Sequence, residues 1–451
     1  MVRDFRSVRR VMFATVAVLG VVVLTAAPAA APAQAPAKAP AKAPYYPPAG
    51  SWDHKKPDQV GLTAKAVDSA VAIAMGSENK TPHNLLEAQR ITFGREPFGE
   101  ASGPFRDRSG VGGLIIKNGY VIAEWGDPDR VETTHSVTKS FVTTTVGLAF
   151  DRKMIRDIKD PVRGYMAPIV ALKGPPGAGT PLVTVPPLSA SWIDSSNAAP
   201  KRGAAFSAFE LLEPFESEHN RKITWEHLLR QTSDWQGTLW GKPDWADRFR
   251  LPKGSTDTNA VINRARTEPG TVFVYNDVRV NMMALASLNV WRRPLPQVLK
   301  ELVMDPIGAS NSWRWYGYDN SWVLMDGALV QSVAGGGHWG GGMMINARDM
   351  ARFGYLTLRG GKWAGKQIIS SEWVTMSRSP GPANKNYGFA NYYLNTGKTS
   401  LPSAPESAFY HLGNGSNIVY VDEVNDLVIV ARWINSNRSL DAMIKILTTK
   451  P

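Results

Sequence analysis

The chain has 451 residues, 43% hydrophobic and 20% charged, a globular composition long enough for about two or three domain-sized units. Its net charge of +12 forms no basic run or stripe, so nothing marks a nucleic-acid groove, and Arg3, Arg6, Arg9, Arg10, Lys38 and Lys42 lie outside the expected fold. Having no cysteine excludes disulfides, thiolate-held zinc, a cysteine nucleophile and a lipidated-cysteine anchor, and the seven histidines offer no zinc-spaced pair on one helix.

Residues 1–31 read as a signal peptide. A basic stretch from Arg3 to Arg10 precedes an apolar run from Val11 to Ala26, and Ala27-Pro28-Ala29 or Ala29-Ala30-Ala31 offers a small-residue cleavage site. The apolar run is short for a membrane anchor, so the expectation is export, to the periplasm or the extracellular space, with no membrane span after cleavage. Residues 32–51 repeat Ala, Pro and Lys and end in Tyr45-Tyr46-Pro47-Pro48; this stretch is expected to be an extended tether with nothing to pack, the fold beginning near Trp52.

Beyond it, 63–75 has a helical pattern. Residues 113–116 and 120–124 flank Lys117-Asn118-Gly119 as a β-hairpin. A helix is expected over 136–150, with Phe141, Val142, Leu148 and Ala149 on one face, and others over 225–231, 278–290, 295–304 and 347–359. Strands over 416–421 and 427–434 and a helix over 440–447 close the chain. Strands at both ends around a helical middle predict an α+β fold. One antiparallel sheet, flanked by helices, is built from 52–134 and 360–451, and a mainly helical domain over 135–359 is inserted in it. Residues 167–220, rich in Pro, Gly, Ser and Ala, are expected to form a long loop, either a lid or a floppy insertion.

Three short stretches carry chemistry. In His135-Ser136-Val137-Thr138-Lys139 a serine at a helix start has a lysine one turn along the same face, where helix N–H groups favour developing negative charge and the lysine can help take the hydroxyl proton. Alone the pattern is weak. Ser77-Glu78-Asn79-Lys80 repeats it without an apolar helix behind it, and a helix-capping serine is the bland alternative for Ser136. In Pro269 to Asp277, a Pro-Gly turn leads to Tyr275 just before a helix, where a phenol could relay protons or simply be half-buried; Tyr393-Leu394-Asn395 competes outside that context. Tyr410 to Asn417 brings His411, Gly413 and Asn414 to a strand edge that can offer backbone N–H groups to an oxyanion. His338-Trp339-Gly340 is a similar triplet, in a loop where it more plainly shapes a turn or a pocket wall.

Ser136-x-x-Lys139, Tyr275-x-Asp277 and His411-x-Gly413 resemble, in order, the S-x-x-K, Y-x-N and K-T-G motifs of serine β-lactamases and penicillin-binding proteins. The stretches 223–233 and 340–354 also resemble that family, especially its class C β-lactamase, esterase and 6-aminohexanoate-oligomer hydrolase branches. The resemblance implies a β-lactamase/transpeptidase-like fold. It makes Ser136 an acylated nucleophile, has Lys139 and Tyr275 share the proton transfers, and places the N–H groups of Ser136 and Asn414 in an oxyanion hole. It implies a small-molecule substrate and neither a metal nor an organic cofactor.

Two positions depart from the pattern. Asp277 replaces an amide with a carboxylate, and His411 replaces a permanent cation that would hold a substrate carboxylate. Both favour an esterase or amidase over a β-lactamase or D-Ala-D-Ala carboxypeptidase; a non-catalytic peptidoglycan- or partner-binding homologue is the third reading. Trp235, Trp240 and Trp245 are candidates for an apolar acyl or alcohol pocket, or for core anchors. No G-x-S-x-G elbow points to an α/β-hydrolase.

Overall fold

The computed structural model describes residues 43–174 and 208–449. The expected signal peptide and most of the expected tether therefore lie outside the described residues, as does most of the 167–220 loop.

The hairpin at Asn118-Gly119 forms as predicted. Both residues take positive φ, 52° and 86°, joining β1 (Gly112–Lys117) to β2 (Tyr120–Trp125). The intervening chain contributes β3 (Glu132–Thr133), β4 (Ile169–Leu172), β5 (Phe209–Leu212), β6 (Arg314–Met325), β7 (Ala328–Val333) and β8 (Gly342–Ile345). The C-terminal part contributes β9 (Tyr393–Leu394), β10 (Phe409–Gly413), β11 (Asn417–Asp422) and β12 (Leu427–Arg432). Both chain ends build one sheet, in the order β9-β10-β11-β12-β1-β2, with neighbouring strands antiparallel.

Side-chain alternation along these strands separates two cores. Leu114, Ile116, Val419, Val421, Val428 and Val430 face one side, packed with the helices 138–151 and 347–358. Ile115, Ile418, Tyr420, Ile429 and Ala431 face the other, against the helices 64–75 and 437–448. The fold is thus the α+β arrangement expected.

The inserted middle is richer in strands than the sequence pattern suggested. A second sheet runs β3-β8-β6-β4-β5 with β7 paired to β6, and residues 169–172 and 209–212, expected as loop, pair antiparallel within it. The start of the fold also differs. Tyr45 stacks on Tyr120 with ring centroids 4.2 Å apart, Tyr46 packs on Tyr355 and Trp363, and Arg352 donates to the carbonyls of Pro48 and Ser51. Residues 44–51 are packed chain rather than tether, because the aromatic pair and the free carbonyls find partners on the 347–358 helix and β2. Among the described residues, no helix is long and apolar enough to cross a membrane.

Candidate active site

Ser136 lies in a short 3-10 turn, His135–Val137, that leads into the buried helix Thr138–Asp151. His135 holds φ +47°, a left-handed conformation costly for a side-chain-bearing residue. Its surroundings fix it: Thr134 N–H donates to Met343 O at 2.9 Å, and Thr138 Oγ1 accepts from Met343 N–H at 2.9 Å. Arg432 on β12 donates to Thr133 O and Ile345 O and so ties the main sheet to β3 and β8 behind the turn. Gly413 closes the other side, since a Cβ there would run into the Thr134 carbonyl. The end of β10 and the turn carrying Asn414 therefore lie against the serine segment.

Ser136 caps nothing. Its Oγ instead accepts from Lys139 Nζ at 2.8 Å. Lys139 is fully buried, in direct ion-pair contact with Asp277 Oδ1, and 4.8 Å from the centre of the Tyr275 ring. Asp277 is the first residue of the helix Asp277–Trp291, capped by the Asn276 side chain, so the same helix start presents Tyr275 and Asp277 to the serine. Gly336 makes room for this pair, because a Cβ at that position would collide with Lys139 Nζ and the Asp277 carboxylate.

The charges around the pair decide its protonation. Burial pushes Lys139 below the usual lysine range, and Asp277 pulls it back. Burial also pushes Asp277 up, but Lys139, Arg248 and His338 outweigh that and hold it well below the carboxylate range. Burial and Asp277 raise Tyr275 above the usual phenol value, against Arg248 and the neighbouring Ser136 hydroxyl. The site therefore sets a lysine whose charged form burial disfavours against a carboxylate held ionised, beside a phenol kept neutral.

The residues that sequence reasoning missed surround Asp277. Arg248 donates to Asp277 Oδ2 at 2.9 Å and to both oxygens of Asp247, and its guanidinium lies 4.6 Å from the Tyr275 ring centre. His338, set aside as a wall residue, has Nδ1 3.0 Å from Asp277 Oδ2 and Nε2 3.0 Å from Glu96 Oε2. Glu96, Asp247 and His338 bring ligand-type atoms within 4.8 Å of one another. Both imidazole nitrogens are spoken for by carboxylates, and a guanidinium sits on Asp247, so the donor set is that of charge-paired hydrogen bonds rather than of a cation cage. Only the Ser-x-x-Lys and Tyr-x-Asp spacings signalled this centre; Glu96 and Arg248 stand in stretches without a recognisable pattern.

His411 is placed differently from the sequence expectation. It is fully buried one helical turn beyond Ser136, with Nδ1 2.8 Å from Ser140 Oγ and 3.0 Å from Asn391 O, among Phe353, Tyr392 and Phe409. Burial lowers its pKa to about 4, so it is a neutral core imidazole. Of the candidate tryptophans, Trp235 and Trp240 are buried core residues. Trp245 is half-buried, edge-on to Phe98 at 5.7 Å and Phe249 at 5.9 Å, three residues from Arg248. Tyr393, from the competing Tyr-x-Asn stretch, lies beside Tyr275.

Residues 102–444 match the family model described as Beta-lactamase. The chain belongs to the beta-lactamase family. Solved structures of similar fold include a family VIII carboxylesterase (14% identity, covering 85% of this chain and 96% of that one, TM-score 0.47). A beta-lactamase from Mycobacterium bovis (17%, 74% and 92%, 0.44) and a penicillin-binding protein homologue from Caulobacter crescentus (12%, 88% and 98%, 0.48) are also similar. No curated protein matches the chain in sequence. Against the motifs of the beta-lactamase family, Ser136, Lys139 and Tyr275 meet in space, whereas His411 stands in the core and the carboxylate of Asp277 has its own set of charged partners.

Proposed function

We propose that this beta-lactamase-family hydrolase is an exported enzyme that forms an acyl-enzyme on Ser136 and cleaves an ester or amide bond. The observation that carries the reading is the 2.8 Å contact of Lys139 Nζ with Ser136 Oγ at the head of a buried helix, with the Tyr275 phenol alongside. Ser136 Oγ attacks the acyl carbon, and its proton passes to the Lys139–Tyr275 pair, which returns a proton to the leaving group. The N–H groups of Ser136 and Asn414 receive the oxyanion. Water then attacks the acyl-enzyme by the same route in reverse.

A substrate without a carboxylate fits best, because His411 is neutral and buried and Arg248 is already engaged by Asp247 and Asp277. Trp245, Phe98 and Phe249 supply an apolar wall for an acyl or alcohol group. One observation favours the rival, β-lactam or D-Ala-D-Ala chemistry: the Arg248 side chain is 32% exposed and could turn its guanidinium to a carboxylate.

Treating the purified mature protein with a fluorophosphonate and then with p-nitrophenyl esters and a chromogenic cephalosporin tests both. The expected result is label on Ser136 and turnover of short esters, with both lost in Ser136→Ala. Absence of label at Ser136 would overturn the enzyme reading, and rapid cephalosporin turnover would favour the rival.

A further inference from the structure

The ion pair raises a difficulty for any base catalysis by Lys139. An amine can take the Ser136 proton only when it has given up its own, and the buried Asp277 carboxylate stabilises the ammonium. The way out is visible on the far side of Asp277. Ser136 Oγ, Lys139 Nζ, Asp277 Oδ1 and Oδ2, His338 Nδ1 and Nε2, and Glu96 Oε2 follow one another as an unbroken series of hydrogen-bond and ion-pair contacts. Its inner members are buried. His338 is 1% exposed in its side chain, clamped between Phe93 and Trp339 at 4.1 and 4.2 Å, whereas the Glu96 side chain reaches 16% exposure.

We propose that His338 and Glu96 are positioning residues that set the proton state of the Lys139–Asp277 pair, so that loss of the His338 proton through Glu96 makes Lys139 able to act as base. While His338 is an imidazolium, it donates to Asp277 and keeps that carboxylate ionised against Lys139. Once His338 has released a proton by way of Glu96 to solvent, Asp277 can take the Lys139 proton on Oδ1. The neutral amine then accepts the Ser136 proton as Oγ bonds to the acyl carbon. One proton leaves the series, one moves from nitrogen to oxygen, and one moves from oxygen to nitrogen.

The charged groups facing His338 are Asp277 from its helix, Asp247 with Oδ1 at 3.3 Å, Glu96 from the loop before β1, and Arg248 and Lys139 behind the aspartates. Burial opposes the imidazolium, and the hydrogen bonds to Asp277 and Glu96 outweigh it, so His338 titrates above the ordinary histidine range. This inference rests on Ser136 being the nucleophile, and its test separates the two claims.

The measurement is the rate of fluorophosphonate labelling of Ser136 in the full mature chain as a function of pH. In the native protein the rate is expected to rise with pH through the His338 titration. Glu96→Gln removes a negative charge from the imidazolium, so the midpoint is expected to move down by about 1 pH unit or more. His338→Gln keeps neutral hydrogen-bonding groups at the site and removes the titration, so labelling is expected to lose that rise. A structural role alone would slow labelling at every pH without moving the midpoint, and an unmoved midpoint in both variants overturns the proposal while leaving Ser136 labelled. No label at any pH in the native protein would instead overturn the nucleophile assignment. Should the variants fail to fold, nitrogen-15 histidine NMR of the native protein reads the same group. A His338 titration whose midpoint coincides with that of the labelling rate supports the relay, and a midpoint that does not coincide overturns it.

Discussion

Lys139 and Asp277 occupy space that exists only because residue 336 has no side chain. Gly336 has no positive φ that would demand glycine, so an alanine there is acceptable to the backbone and acts only through its Cβ, which meets the Lys139 amine and the Asp277 carboxylate. These are side-chain atoms rather than backbone, so Gly336→Ala is expected to displace the pair rather than unfold the chain. A displacement on the order of 1 Å from Ser136 predicts about a 100-fold slower labelling by fluorophosphonate. The thermal midpoint is expected to change little, and an unaltered labelling rate would show that the pair does not depend on that gap. Ser136, Lys139, Tyr275 and Asp277 were legible in the sequence because each sits at a fixed offset from a helix start. Glu96, Arg248 and His338 were not, because Arg248 and His338 reach Asp277, and Glu96 reaches His338, from loops, and loop geometry carries no periodicity.

Helices with a strong local signal, and the β1–β2 hairpin, agreed with their sequence patterns. The helix expected over 278–290 runs from Asp277 to Trp291, and that over 295–304 divides into an α segment and a π turn, Lys300–Met304. The β6–β7 hairpin was missed although Asp326-Gly327, at φ 51° and 86°, is a strong turn signal; the uneven burial along β6 blurs its alternation. Nor does the sequence show what fastens 232–247 to the 277–291 helix. Asp234 accepts from Arg279 at 2.6 Å and from Arg264 at 2.8 Å, and Asp244 accepts from Arg266 at 2.6 Å. Burial pushes Asp234 up, but Arg264, Arg279 and the Thr267 N–H outweigh it and depress it below the carboxylate range. A depressed native value means stability that is present above the unfolded value of about 4 and is lost as pH falls through the native one. Asp234→Asn is therefore expected to cost about 3 kcal/mol at neutral pH, and the difference from the native protein should narrow as the pH drops below about 4. Chemical denaturation at several pH values reads this directly. A deficit of constant size would mean that the carboxylate's ionisation is not its source.

At the scale of the whole molecule, the two chain ends close one sheet, and the segment before β1 belongs to that closure. Pro47 is buried, Tyr45 covers Tyr120, and Tyr355 Oη donates to the Tyr45 carbonyl at 2.6 Å. The Trp52 indole donates to Gly119 O at 2.7 Å in the β1–β2 turn, and Arg352 holds the Pro48 and Ser51 carbonyls from the opposite side. Residues 44–51 thus strap the 347–358 helix to the first hairpin, on the face of the sheet that also carries the nucleophile helix. Arg352 is buried, and burial lowers its pKa, so deleting the strap would strip carbonyl partners from a desolvated guanidinium as well as exposing aromatic surface. Losing two aromatic contacts and these hydrogen bonds costs about 4 kcal/mol. With an unfolding entropy of about 2.1 cal/mol/K per residue, that lowers the melting temperature of a chain this size by about 5 °C. Thermal melts of proteins beginning at Ala43 and at Trp52 make the comparison. Because no strap residue touches Ser136, the shorter protein should still label at Ser136 below its melting temperature, whereas equal melting temperatures would return residues 44–51 to the role of a tether.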